Sequence, residues 1–383
     1  MSERIGAARS PLRFDRAEWS GAFGDVGTDL PLLIALIAAT GFAAGPVFAA
    51  FGVALIVSGW LYRLPMPVQP LKAMTVVVLA GQASGAQLQL GGVLLGASVL
   101  VLAVSGALAW LARVIPVWVV RGVQAGLALN LGLAAAKMTA RDGAWGWLVA
   151  GVAVAAIALL RRSARWPVGL IVVGVGALWT LPAVASRFAV ELPGQPVQWP
   201  DLPWSDWPVV LAVLVLPQLP LSLANSLVAT ERTVADLFPA RRVGIRGLGL
   251  TFGLLNFLAP FLGGVPVCHG CGGLAGHYAL GARTGGSVVI YGAVLLLGGA
   301  LAGDFLGAVV RHFPFPLLGA LLLVEAAVLL ALGRDQLVSP WRAAGAAFVG
   351  LACVFLPYGY LIGVLAGTLV HHALRAFPLH RAA

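Results

Sequence analysis

The chain has 383 residues, 60% of them hydrophobic and only 10% charged, with a formal charge of +10 and a mean hydropathy of +0.96. A soluble fold of this length does not need charge to be so scarce, so the composition excludes a soluble globular protein and predicts a polytopic all-α membrane protein. The alternation of a membrane barrel is absent, and the basic residues gather in particular loops, which sets nucleic-acid binding aside.

Residues 1–19 are basic and polar, with Arg4, Arg9, Arg13 and Arg16, and lack a cleavable signal pattern. A helix needs roughly 20 apolar residues to cross the hydrocarbon, and that rule predicts about fourteen segments. They fall at 20–40, 43–62, 68–81, 90–112, 116–136, 145–160, 167–186, 208–230, 244–263, 267–280, 286–311, 315–333, 341–356 and 358–374. Segment 1 contains "GDVGTD", which sets Asp25 and Asp29 one helical turn apart with Thr28 between them. Carboxylates inside a span are proton carriers or structural partners by default. For Asp25 the structural alternative is a pairing with Lys72 or an N-terminal arginine.

Segment 3 is entered through "RLPMPVQPLKAM" (63–74) and has only about 14 apolar-leaning residues, too few to span as a helix. Proline fixes φ and lacks an N–H, so this stretch predicts extended backbone and a helix that starts near Pro70. Gln69 stands just before that start with two amide hydrogens to donate. Lys72 lies within the first turn, either attracting an anion or snorkelling to the surface. Further on, "RRSAR" (161–165) is basic, whereas 187–207 carries Glu191, Asp201 and Asp206 with Trp199, Trp204 and Trp207. Segment 8 places Gln218, Ser222, Asn225 and Ser226 at helical spacing, one polar face that turns inward or bonds a neighbouring helix.

Segment 10 repeats the interruption in "GGVPVCHGCGGLAGH" (263–277), again with about 14 residues and a helix start expected near Cys268 to Gly270. Gly270, Gly272 and Gly273 allow close approach to the backbone, and His269 can donate from its ring. Cys268, Cys271 and Cys353 form no disulfide framework, and one Cys pair with His277 is too few ligands for zinc, so no metal or cofactor is expected. Glu325 stands in the apolar run of segment 12, as a coupling-proton carrier or as half of an ion pair. No nucleophile–base–acid set appears, so an enzyme is not expected.

The short segments 3 and 10, and "DLPLLIALIAAT" (29–40) with "QLPLSLANSLVAT" (218–230), recur at offsets of roughly 190 to 200 residues, the pointer to an inverted repeat. Seven segments per half, an odd number, require the second half to be inverted. Irregular backbone at mid-membrane is tolerated only where protein or a watery cavity covers it. Helices that start there aim free N–H groups and positive dipole ends into that cavity. Two such ends facing each other make an anion site; the plainer reading is a pair of kinks between packed helices. The candidate substrate residues are Gln69, Pro70, Cys268, His269, Gly270, Asn225, Thr28 and Gln218, and the candidate coupling-ion residues are Asp25, Asp29 and Glu325. An even count puts both termini in the cytoplasm of a multi-pass cell (inner) membrane protein, with the arginine-rich loops inside and 187–207 outside. Lys137, Arg141 and Arg311 are the exceptions.

Four stretches, "SGAFGDVGTDLPLLIAL" (20–36), "PMPVQPLKA" (65–73), "QLPLSLANSLVAT" (218–230) and "GGVPVCHGCGGLAGHYALGARTGG" (263–286), resemble the molybdate transporter family, a branch related to the SulP sulfate permeases. The resemblance implies fourteen spans in two inverted repeats of seven, in the fold shared with uracil permeases. It implies a core domain (20–112 and 208–311) that moves against a gate domain (113–186 and 312–374). The remaining parts are a cytoplasmic N-terminal segment (1–19), an extracytoplasmic loop (187–207) and a cytoplasmic tail (375–383) with no C-terminal regulatory domain. Substrate would sit between the half-helices of segments 3 and 10. Cys271 departs from the small residue expected there. The expected partners are molybdate or a similar oxyanion, a coupling proton or sodium, the lipid bilayer and a second copy in a homodimer. The residues themselves specify a tetrahedral dianion without separating molybdate from sulfate or tungstate. A sulfate or other oxyanion permease, a nucleobase:proton symporter and a channel-like anion pathway are the alternatives. A nucleobase site favours a carboxylate in segment 8, where this chain has Gln218 and Asn225.

Overall fold

The computed structural model describes residues 11–160, 168–188 and 195–376. The expectations for Arg4, Arg9, the "RRSAR" loop and Glu191 lie outside the described residues. The structure is mostly helical because, in hydrocarbon, each backbone polar group must pair within its own segment. In chain order the helices are α1 (Arg16–Ala22), α2 (Val26–Thr40), α3 (Ala44–Tyr62), α4 (Lys72–Leu79), α5 (Gly85–Ser105), α6 (Leu108–Val114), α7 (Val117–Ala140), α8 (Gly143–Leu160) and α9 (Val168–Val184). One long helical run follows, made of α10 (Trp207–Val210), α11 (Leu216–Leu221) and α12 (Ala229–Leu237) joined by π-helical turns at Leu211–Val215 and Ser222–Val228. Then come α13 (Ile245–Leu258), α14 (Cys271–Ala279), α15 (Gly286–Leu301), α16 (Gly303–His312), α17 (Phe315–Ala331), α18 (Pro340–Phe355) and α19 (Gly359–Ala376). Two short strands, β1 (Gln69–Pro70) and β2 (Val267–Cys268), pair with each other. Among the described residues, seven helices are long and apolar enough to cross a membrane, and nine if two bent pairs each count as one span.

Three expected spans are interrupted or cut short. The first span is interrupted: α1 and α2 meet at 41°. The break falls at Gly24 because α14 packs against it; a Cβ on Gly24 would lie 2.5 Å from the Gly276 carbonyl carbon. The expected 286–311 span turns by 99° at Ala302, so α16 is a separate helix. It bears Asp304 in its first turn and Arg311 in its last, in keeping with the dipole. The expected 90–112 span ends at Gly106, whose φ of 78° suits glycine, and α6 follows. The long run from Trp204 to Leu237 contains Pro217 and Pro220, which lack N–H donors, and π turns lie on either side of them.

Small residues bring the long helices together. Gly45, Gly52 and Gly59 of α3 meet Gly299, Gly292 and Gly285 in antiparallel order, one contact every second turn. α5 and α13 pack in the same way around Gly96 and Gly253. α7 packs against α17 and α18. A Cβ added at Gly52 would lie 2.5 Å from the Leu296 amide nitrogen, a backbone atom that cannot step aside. Gly52→Val is therefore expected to cost upward of about 2 kcal/mol through overpacking. The check is the thermal midpoint of the purified protein in detergent; an unchanged midpoint would show a looser α3–α15 interface than described.

Candidate functional site: two helix starts joined by a strand pair

The prolines act locally as their chemistry requires. Met66 to Val68 is non-helical, and β1 (Gln69–Pro70) then hands the chain to α4, with Leu71 as the N-cap. The later interrupted stretch behaves alike: β2 leads through His269 to the N-cap Gly270 and into α14. Both helices start one to three residues later than the prolines and glycines suggested, at Lys72 and Cys271. The strands pair antiparallel, with Gln69 opposite Cys268 and Pro70 opposite Val267, and Leu71 N donates to Pro266 O at 3.1 Å. The two helix starts therefore stand at opposite ends of one small ribbon.

Side chains satisfy the irregular backbone around that ribbon, as a buried position demands. Ser58 Oγ donates to Met66 O at 3.0 Å. Asn256 embraces Val267, accepting from its N–H at 2.8 Å and donating to its carbonyl at 2.7 Å. Thr230 Oγ1 donates to His269 O at 3.0 Å. The His269 ring has both nitrogens engaged within the protein: Nδ1 donates to Pro67 O at 3.0 Å and Nε2 pairs with Thr251 Oγ1 at 3.1 Å. Tyr62 hydrogen-bonds Thr251 and meets the ring edge-on. In this structure His269 holds the approach to α4 in shape. Tyr62, Ser58, Thr230, Thr251 and Asn256 were not singled out from the sequence; Asn256, amid Leu and Phe, carried the clearest polar signal.

Three polar groups converge on the helix starts. Gln218 is buried, and its Oε1 accepts from Ala73 N at 3.0 Å and Met74 N at 3.3 Å, two first-turn donors of α4. Its Nε2 donates to Ser222 Oγ at 3.0 Å. Gln69, only 2% exposed, donates from Nε2 to both oxygens of Asp25, at 2.6 and 2.8 Å. Asp25 thus takes the amide of Gln69 as its hydrogen-bond partner, where the sequence had offered Lys72 or an arginine. Its carboxylate lies against Gly273 of α14, where a Cβ would overlap Oδ2, and a Cβ on Gly270 would overlap Gln69 Oε1. Those two glycines let both helix starts close on the Asp25–Gln69 pair. Lys72, the first residue of α4, forms a close ion pair with Glu325 of α17, the side chains being 24% and 9% exposed.

The other expected residues are placed as follows. Pro70 and Cys268 are buried in the ribbon, and Gly272 is exposed at the first turn of α14 with open space above it. Thr28 is half-buried in the first turn of α2, while Asp29 is buried, its Oδ1 accepting from Leu30 N at 2.7 Å. Asn225 is drawn away: its Oδ1 accepts from Gln124 Nε2 of α7 at 3.2 Å, beside a cavity of about 280 Å3 that Arg121 and Arg232 also line.

First-turn N–H groups, a positive helix end and an adjacent ammonium make an anion-binding constellation. The donors that suit an oxyanion here are backbone N–H groups and the Lys72 ammonium, with the free thiols of Cys268 and Cys271 beside them.

Comparison with known proteins finds relatives along most of the chain. The family described as "Molybdate transporter of MFS superfamily" matches residues 17–131 and 200–329. Molybdate transporter 1 of Arabidopsis thaliana is 30% identical, over 95% of this chain and 89% of its own. Molybdate transporter 2 of the same plant is 29% identical, over 87% and 82%. In fold, the transmembrane domain of the cyanobacterial bicarbonate transporter BicA superposes with a TM-score of 0.68 at 17% identity, covering 92% of this chain and 99% of that one. Murine Slc26a9, an anion transporter in the inward-facing state, gives 0.71 at 14% identity over 96% and 69%. By the family match and these relatives, the chain belongs to the molybdate transporter family, whose named members are transporters and not enzymes.

Proposed function

We propose that the protein is a secondary active transporter that imports molybdate by alternating access, with the oxyanion bound between the starts of α4 and α14. The observation that carries this reading is the antiparallel ribbon that fixes two mid-protein helix starts beside one another, with Lys72 on the first. An arriving oxyanion takes the place of Gln218 Oε1 on the α4 amides and gains the Lys72 ammonium; Gln69 and Gly270 shape the other side.

Fourteen spans in two inverted repeats account for the packing. α3–α15 answers α5–α13, α2–α9 answers α11–α19, and α2–α4 answers α12–α14. The ribbon is its own image under that exchange. On this division α4 belongs to the core and α17 to the gate, so Lys72–Glu325 is an ionic tie between them. Substrate at α4 offers Lys72 a competing partner and loosens the tie. The arginine-rich loops support a cytoplasmic side for both termini.

A dianion entering against 100 mV, inside negative, faces about 4.6 kcal/mol, so uptake needs a coupling cation or a steep gradient. Asp25 and Glu325 are the carboxylates placed to accept a proton there. Family membership supports molybdate, and the helix starts with Lys72 support an oxyanion. Purified protein in proteoliposomes is expected to show saturable uptake of labelled molybdate, competed by tungstate more than by sulfate and not by uracil. Absence of saturable uptake would sink the proposal, and stronger competition by sulfate would reassign the substrate.

A further inference from the structure

Away from the helix starts lies a second strongly cationic feature. A cavity of about 400 Å3 is lined by Arg13, Arg63, Arg241, Arg283 and Thr284, with no carboxylate among its lining residues. Four parts of the chain meet there: the stretch before α1, the end of α3, the loop after α12 and the loop between α14 and α15. Arg63 is the C-cap of α3 and holds a left-handed backbone, φ 55°, a conformation costly for a residue with a Cβ.

The arginines are unequally satisfied. Arg283 donates to the carbonyls of Tyr278 and Ala282, both at 2.7 Å, and lies over the Tyr278 ring. Arg13 is 3.8 Å from Glu18 and 3.9 Å from Asp15. The Glu18 carboxylate is already committed to the backbone N–H groups of Arg283, Thr284 and Ser287. Arg63 Nε and Arg241 Nη2 are buried with no hydrogen-bond partner among the described residues. A guanidinium cannot shed its charge, so a buried donor without an acceptor is a standing cost that an anionic oxygen relieves. Forked guanidinium donors match the oxygens of a phosphate in particular.

We propose that this cavity is a second anion site, distinct from the transport site, that receives a phosphate group between Arg63 and Arg241. Two sources share that chemistry: inorganic phosphate, and the headgroup of an anionic phospholipid at the membrane face. The proposal stands on the cavity and its arginines and does not depend on what the helix starts carry.

The test uses the full-length protein in nanodiscs, one set of phosphatidylcholine only and one containing phosphatidylglycerol, at matched ionic strength. Binding of labelled inorganic phosphate is read in the first set, and the thermal midpoint in both. Saturable phosphate binding that weakens about a hundredfold in Arg63→Gln/Arg241→Gln, two charge-assisted donors lost, assigns free phosphate. A midpoint raised by phosphatidylglycerol in the wild type and not in the double variant assigns the headgroup. Either result supports the site. Phosphate binding and lipid stabilisation that are absent, or unchanged in the double variant, overturn it. Should the double variant not fold, Arg241→Gln, in the loop after α12, gives the same reading at about tenfold.

Discussion

Gln218→Glu is expected to abolish molybdate uptake, by about a hundredfold or more, while the protein stays folded. The two side chains have the same shape, so Oε1 can still accept from Ala73 N and Met74 N. A carboxylate there gains about 0.3 to 1 kcal/mol from the start of α4, and Ser222 can donate to the oxygen that replaces Nε2. These contacts offset part of the cost of burying a carboxylate, so a folded protein with a lowered thermal midpoint is expected. Transport is lost because the new charge occupies the amides the oxyanion needs. At about 4 Å and an effective dielectric near 20, each unit of substrate charge meets about 4 kcal/mol of repulsion. Gln218→Leu provides the contrast: it leaves the two amides without their acceptor and costs about 1 to 3 kcal/mol of stability. Proteoliposome uptake and thermal midpoints on the three proteins decide the matter. Uptake by Gln218→Glu close to wild type would show that substrate does not use the α4 start.

The second large effect is expected at the ion pair. A cation at a helix N-terminus opposes the dipole, so Lys72 is not there for the sake of α4. Removing its partner with Glu325→Leu leaves a largely buried ammonium and is expected to cost about 3 kcal/mol, the lower end for a buried pair because Lys72 keeps some exposure. Lys72→Met/Glu325→Leu should recover most of that stability, since apolar replacements of both partners often match a buried pair. Uptake should stay low in the double variant, because the ammonium that meets the oxyanion is gone. Lys72→Glu/Glu325→Lys sharpens the point: the pair survives with its charges exchanged, and uptake is expected to vanish in a folded protein. Normal uptake by the doubly apolar variant would make the pair purely structural.

The sequence made the helix starts legible because proline and glycine act locally. "PVQP" and "PVCHG" put irregular backbone where hydropathy demanded a helix, and the starts at Lys72 and Cys271 follow within a few residues. Roles that depend on distant partners were not legible. Lys72 and Glu325 are 253 residues apart, and a snorkelling lysine reads the same as a paired one. His269 could have faced substrate from sequence alone; in this structure Pro67 and Thr251, 202 and 18 residues away, engage both its ring nitrogens. Asn225 shares a helical face with Gln218 on a regular helix, but the π turn at Ser222–Val228 lies between that face and the Gln124 contact. The break at Gly24 is set by α14 packing onto it, and the turn at Ala302 falls inside a run apolar enough to read as one helix.

The ribbon of β1 and β2 has a consequence for how such a protein can change. Side chains alternate along a strand, so a register slip of one residue exchanges every facing partner. Here a slip would take Gln69 from Gly270 and Asp25 and shift both helix starts at once. The loops elsewhere can gain or lose residues with little effect, but the approaches at 64–70 and 263–270 must keep their lengths together. The two halves of the chain, whatever their separate histories, are bound to evolve as a single unit at these four paired residues.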